Sequence, residues 1–422
     1  MIKRPVAITK RIRKPGVRLA FARVPAFKTA VEIFVWSRIA IWATALFALL
    51  VFEPNSSPRP TTLASKNPML THDLGYWTDV WARWDSVWYL GIARHGYGWA
   101  AQTSAFFPLY PAGVRVLATV FGGHYVVAGI VLSLAATLVS FYLLQLIVEP
   151  RLGRDGAHRA VLYLAVFPMA LFLQAVYAES LLLALTLGAF LLAERGHWVS
   201  AWSVAGLAIL TRPVGVALLP ALALMAWRSP KRWTALQGLA IPPAFFAVFP
   251  ITLWRQTGDA WGFLHSQSLI WHRQLSPAGP FKGLWLGVRE GLVGLWRLLT
   301  EQPADRSTFA SGHDYTMLNS AFNVRDLAFL VLFLALTVVV WRRFGAPYGL
   351  FAAVSLAIPL SEPNVYGWPL LSLPRFGLAI FPLFIGLAIL GGRPRAHVAI
   401  LSVSSILLGL TIVQWATWQW MD

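Results

Sequence analysis

Apolar and polar residues do not alternate along this chain; they come in blocks. Predominantly apolar stretches run at about 29–52, 125–148, 160–177, 180–193, 198–211, 214–227, 234–254, 325–341, 345–360, 375–391 and 396–417. Most approach the ~20 residues a helix needs to cross a bilayer. They predict an all-α polytopic membrane protein of about 11 transmembrane helices, with no separate soluble domain. The pair 180–193 and 198–211 is short for spans, but because it comes as a pair it leaves the direction of everything downstream unchanged. Segment 106–121 is apolar as well and is read as lying in the interface. The stretch 281–300 is interrupted by Lys282, Arg289, Glu290 and Arg297, a pattern for a helix on the membrane surface rather than through it. No sequence repeat of fixed period is visible.

Charge orients these blocks. Residues 1–28 carry nine Lys or Arg and no acid, a basic segment that the positive-inside rule keeps in the cytoplasm. Its length favours a first transmembrane helix at 29–52 over a signal-peptide core. On that topology the turns predicted to be cytoplasmic are basic: Arg151, Arg154 and Arg159; Arg195; Arg228, Lys231 and Arg232; Arg342 and Arg343; Arg393 and Arg395. Residues 29–422 thus form one transmembrane domain in the cell membrane, with large outer loops at about 53–124 and 255–324.

Composition agrees: of 422 residues, 57% are hydrophobic and 12% charged, too few charges to cover a soluble core of this size. The net +18 is accounted for by topology signals and lipid headgroups, so nucleic acid is not an expected partner. The absence of cysteine excludes disulfides and thiol nucleophiles. No HExxH or clustered acids support a metal site, and no cofactor is expected.

Against this background a few polar residues stand out. In WARWDSVWYLGIARHGYGWA, a helix through 81–96 would put Trp81, Asp85, Trp88 and Ile92 on one face. A carboxylate among those rings needs a partner or a task. The plain alternative is an ion pair with Arg83 or Arg94, or a helix cap. In AVYAESLLLAL, Glu179 lies at the outer mouth of a span, two residues after Tyr177; in AILTRPVGVALL, Arg212 precedes a helix break at Pro213. An arginine at such a depth suits a phosphate at the lipid–water boundary; structural pairing of Glu179 with Arg212 is the alternative. The second outer loop adds Asp259, His265, His272 and Arg273, and SLPRFGLAIFP adds Arg375.

RWDSVWYLGIARHGY followed by AFFPLYP, then FPMALFLQAVYAESLLLALTLGAF, then LAILTRPVGVAL, closely resembles the PIG-V-like mannosyltransferases, relatives of the second mannosyltransferase of GPI-anchor synthesis within the GT-C superfamily. TGDAWGFLHSQSLIWHR and SLPRFGLAIFPLF resemble later blocks of that family more loosely. The resemblance implies a GT-C fold and a membrane glycosyltransferase. Such an enzyme moves a hexose, mannose by family, from a polyprenyl-phosphate-linked donor to an acceptor hydroxyl on the extracytoplasmic side, with inversion. Asp85 matches the acidic residue of the family's first outer loop, its catalytic base, and Glu179 the acid of the family's Tyr-x-Glu-Ser-like block, a second catalytic candidate. Arg212, with Arg375 and Arg273, would bind the donor phosphate, and Trp84, Trp88, Tyr177 and His272 would position substrate. Two departures are local: Trp88 stands where some relatives have histidine, and Gln102-Thr103-Ser104 where some have an acid. A transporter or lipid-linked sugar flippase is the competing class, because it too would use membrane-depth Arg and Glu and broken helices. A non-catalytic scaffold is the third.

Overall fold

The computed structural model describes residues 23–53, 70–300, 316–364 and 367–419, and within them helix is the dominant structure, with one isolated β-bridge and no named strand. The basic leader at 1–22, the turn-rich 54–69 and the loop at 301–315 lie outside the described residues.

The main helices are α1 (Arg23–Val51), α2 (Ser86–His95), α3 (Leu109–Val120), α4 (Tyr125–Ala165), α5 (Glu179–Glu194), α6 (Trp198–Ile209), α7 (Leu218–Trp227), α8 (Ile241–Thr257), α9 (Gly262–Leu269), α10 (Pro280–Thr300), α11 (Thr316–Arg343), α12 (Ala346–Ser361), α13 (Leu373–Leu378), α14 (Pro382–Leu390) and α15 (Pro394–Ala416). Among the described residues, five helical stretches are long and apolar enough to cross a membrane: Pro25–Val51, Tyr125–Ala165, Arg232–Thr257, Leu318–Arg343 and Pro394–Ala416. The other apolar helices, such as α3, α6 and α12, are shorter. Large side chains such as Trp36, Leu50, Val398 and Ile406 stand exposed on α1 and α15, the distribution expected where lipid rather than water covers a helix.

Three departures from the predicted helices shape the molecule. First, the helix expected through 81–96 begins only at Ser86, so Asp85 is its N-cap residue rather than a mid-helix position. Second, the helices of 125–148 and 160–177 follow one another without a loop: they meet at a kink at Gly153, whose non-helical φ of 72° and ψ of 178° supply the basic turn. Third, the expected helix at 160–177 stops at Ala165. Pro168 has no N–H to donate and disfavours helix in the residue before it, so 166–178 becomes a buried, irregular segment containing one 3-10 turn, Ala170–Leu173. The 375–391 stretch is likewise broken, with α13 and α14 each opening on a proline.

A non-helical backbone in an apolar interior must find partners for its polar groups. Here side chains of α1 and α4 supply them. Arg38, itself buried, donates to Ala170 O (3.0 Å) and Ala165 O (3.2 Å). Thr137 donates to Leu173 O at 2.6 Å and Ser133 to Ala175 O at 2.8 Å. Val176 N donates to Trp81 O at 2.9 Å, tying the segment to the strand of chain that leads into Asp85.

The turns predicted for one side of the membrane meet one another. Arg151 donates to Glu194 (2.6 Å), Tyr348 donates to the same carboxylate, and Tyr163 bonds His397 (2.7 Å). The glycines of α10 (Gly283, Gly287, Gly291 and Gly294) form its buried face. A Cβ at Gly283 would stand 2.2 Å from Leu360 O, so the absence of side chains is what lets this helix lie against α11 and α12.

Arg38→Met removes both donors to the broken segment. It is expected to destabilise the protein by about 3 kcal/mol, read as an earlier unfolding midpoint in detergent micelles, while Arg255→Met on the exposed last turn of α8 leaves the midpoint unchanged.

Candidate active site

The break after α4 ends where α5 begins, and it brings Tyr177 and Glu179 beside the start of α2. Tyr177 is fully buried; its hydroxyl accepts from Asp85 N (3.0 Å) and donates to Arg83 O (3.2 Å). Arg83 in turn donates to Trp415 O at 3.1 Å, and Trp415 Nε1 to Val80 O at 2.5 Å. The backbone at Asp85 is thereby clamped by α15 and by the broken segment.

The Asp85 side chain makes no cap hydrogen bond. It accepts instead from Arg375 Nη1 at 3.0 Å, a partner 290 residues away, rather than from Arg83 or Arg94. Arg375 Nε also lies 3.7 Å from Glu179 Oε1, and Arg212 donates to that same oxygen. Glu179 is almost wholly buried and sits behind the two arginines, whereas Asp85 keeps 23% of its side-chain surface exposed. Arg273 is held by its own donation to Leu371 O (2.7 Å). The guanidinium carbons of Arg212, Arg273 and Arg375 stand 5.4, 5.3 and 5.7 Å from the centre of the Phe376 ring, so one aromatic face gathers three cations.

These residues enclose a cavity of about 220 Å³. Asp85, Arg212, Arg273, Arg375, Tyr177 and Trp84 line it; Trp88 and His272 do not. Trp88 stacks on Phe106 (6.1 Å, 24°) and meets the edge of Trp271, two lining residues that it supports. Among the described residues, four non-glycine residues have positive φ: Trp84 (52°), His272 (53°), Ser372 (68°) and Trp418 (59°). The first three each adjoin or contact a charged residue of the site, Asp85, Arg273 and Arg375 respectively, and Trp418 packs on Trp84. Such conformations cost on the order of 1–3 kcal/mol each and cluster where surroundings hold functional groups in place. Asp259 and His265 pair at 2.8 Å on the exposed second loop, outside the cavity lining. Hydrogen bonding from His265 holds the Asp259 carboxyl below its usual range. Among the described residues no three His, Cys, Asp or Glu side chains gather as a metal site.

One lining carboxylate escaped the sequence reading. Glu362 follows the last turn of α12, and burial raises its carboxyl above the ordinary value, an effect that nearby Arg273 opposes. Its neighbours in sequence, Ser361 and Pro363, offer no motif. Spacing alone held a signal: Ser355, Ile358, Pro359 and Glu362 recur at helical intervals, and all four line the cavity.

The amino-terminal half of this site falls within the region that matches a known family model, Mannosyltransferase (PIG-V), over residues 27–237. That match spans half of the chain. The chain belongs to the PIG-V mannosyltransferase family. No curated protein sequence matches it. Among solved structures, similarity is found to ArnT from Cupriavidus metallidurans bound to undecaprenyl phosphate, at 16% identity and a TM-score of 0.49 over 89% of this chain and 63% of that one. It is also found to the oligosaccharyltransferase of Archaeoglobus fulgidus in complex with zinc and sulfate, at 12% identity and a TM-score of 0.42 over 88% of this chain and 53% of that one. This PIG-V family chain therefore spans under two thirds of the length of either protein.

Within this family member, Tyr177→Phe removes both the acceptor for Asp85 N and the donor to Arg83 O. It is expected to destabilise the fold by about 1–2 kcal/mol, measured by chemical unfolding in micelles. Glu362 gives a pH signature. Because its carboxyl is raised in the folded protein, the folded state holds a proton that the unfolded state releases. Stability therefore falls as pH climbs from the ordinary carboxylate value through the raised one. Glu362→Gln is expected to flatten the unfolding-midpoint curve across that window and leave it unchanged well below it.

Proposed function

We propose that this PIG-V family protein is a GT-C-type glycosyltransferase of the cell membrane. It would transfer a hexose, mannose by family, from a polyprenyl-phosphate-linked donor to an acceptor hydroxyl with inversion. The observation that carries the reading is the grouping of one accessible carboxylate, Asp85, with three arginines around a single small cavity.

In this reading the acceptor oxygen attacks the anomeric carbon, the bond from that carbon to the phosphate oxygen breaks, and Asp85 takes the acceptor's proton as general base. The leaving polyprenyl phosphate gains negative charge, which Arg212, Arg273 and Arg375 meet with preorganised donors. Arg375 bridges Asp85 and Glu179, so an arriving phosphate competes for it and loosens its hold on the base. Glu179 acts by holding Arg212 and Arg375 in place, a positioning task suited to its burial. Trp84 borders the sugar, while Trp88 and His272 support the cavity wall and the Arg273 backbone. A cavity of about 220 Å³ admits a sugar headgroup but no polyprenyl chain, which would run out between helices into lipid. Binding of undecaprenyl phosphate by the structurally similar ArnT accords with a donor of this chemistry.

The proposed sidedness puts the amino terminus in the cytoplasm and the site on the extracytoplasmic face. Its support is the run of basic turns and the contacts that join Arg151, Glu194 and Tyr348 at the end opposite in chain direction to Asp85 and Glu179.

Membranes containing the wild type are expected to transfer label from radiolabelled polyprenyl-phosphate mannose. The near-isosteric Asp85→Asn, at equal abundance, is expected to fall by about 10²–10⁴-fold. Equal transfer by both would make Asp85 structural; transfer by neither would sink the transferase reading and bring lipid flipping forward.

A further inference from the structure

The cations and Asp85 occupy one part of the cavity wall, and a second part carries polar groups with no assigned use. On α12, Ser355, Ile358, Pro359 and Glu362 present one helical face to the cavity. Ser355 is fully buried, and its hydroxyl has no hydrogen-bond partner among the described residues. Trp271 lines the same cavity, and its indole N–H is also buried and unpartnered among the described residues. Buried polar groups in native folds are nearly always satisfied, by protein, water or ligand. Two orphaned groups on residues of the cavity wall, together with the Glu362 carboxylate, would be satisfied by a polar occupant that a small turn of the Ser355 and Trp271 side chains lets them reach.

The wall is built rather than incidental. Ser276 N donates to Ser361 O at 2.8 Å, Asn364 Nδ2 to Trp271 O at 3.4 Å, and Arg273 pairs with Asn364 in the isolated β-bridge. These bonds zip the 271–276 segment to the end of α12 and fix Trp271 and Glu362 relative to each other. The Trp271 ring is further set by edge contacts with Phe106 (5.8 Å) and Trp88 (6.4 Å).

We infer that Glu362, Ser355 and Trp271 form a subsite for the hydroxyls of the transferred hexose, bordering the phosphate-binding arginines at Arg273. A carboxylate accepts from sugar hydroxyls, an indole N–H donates to one, and a serine hydroxyl does either. That combination reads which hydroxyls a sugar has and where they point. At about 220 Å³ the cavity is smaller than the ~300–1,000 Å³ of drug-sized sites, the scale of one monosaccharide. The subsite makes Glu362 and Ser355 specificity-determining positions. It rests on the transferase reading above.

The test compares wild type, Glu362→Gln and Ser355→Ala in transfer from short-chain polyprenyl-phosphate mannose and from each of its monodeoxy analogues. With wild type, at least one analogue is expected to lose about 10- to 100-fold in kcat/KM. Each variant is expected to lose a similar factor on the full sugar and to show no further loss on the analogue lacking the hydroxyl it holds. Loss by the same factor on every donor, or no loss on any, overturns the subsite while leaving the transferase reading intact. Absence of transfer by wild type from every donor overturns that reading, and the subsite falls with it. Ser355→Ala, which trims one oxygen from a buried helix position, guards against misfolding of the glutamate variant.

Discussion

The need to satisfy backbone polar groups inside an apolar protein governs this structure. A continuous helix meets that need by itself; a broken one cannot. After α4 the chain leaves the helix at Ala165, and the irregular 166–178 segment persists because Arg38, Thr137 and Ser133 reach its carbonyls. A charged side chain in such surroundings is costly unless its donors are used, and two of Arg38's nitrogens end on carbonyls of this one segment. Everything at the site follows from that break: it sets the start of α5, and with it Tyr177 and Glu179, against the chain entering α2.

The charges at the site are arranged by the same economy. Three arginines and three carboxylates, Asp85, Glu179 and Glu362, lie in a mostly apolar surround. Each positive group has a close partner: Arg375 with Asp85, Arg212 with Glu179, Arg273 with Leu371 O. Phe376 gives all three a shared aromatic face. In the proposed transfer, cations already held in place would meet the donor phosphate from fixed positions, Arg375 exchanging its bond to Asp85 for it, and preorganisation of this kind is where transition-state stabilisation arises. The positive φ angles at Trp84, His272 and Ser372 belong to the same picture, since each sits next to a charged residue whose direction the fold must fix.

Much of this was legible in the residues themselves. Asp85, Glu179 and Arg212 drew attention because charge is expensive where apolar residues surround it, and Arg212 because a proline followed it. Helix positions were legible for α1, α5, α6, α8, α11, α12 and α15, where apolar runs have clear ends. The departures have separate causes. Pro168 lies within an apolar run that reads as a span, and hydropathy does not register the missing N–H. Asp85 was expected inside a helix because the i, i+3 and i+4 spacing continues backward past the true start at Ser86. Glu362 went unnoticed because its meaning depends on Trp271 and Arg273, which belong to a distant loop.

By itself the sequence determined the class of the molecule. Block hydropathy demands a helical membrane protein, and a handful of charges that are costly in such surroundings stand out against it. It also carried the family resemblance in the order of its motifs. Only the tertiary structure decided which charges meet. Asp85 pairs with Arg375 across 290 residues instead of with Arg83 or Arg94 close by. Local spacing constrains neighbours along one helix, but the pairing of residues from separate helices is set by how broken segments find partners for their backbone, and no single stretch of sequence contains both halves of that contact.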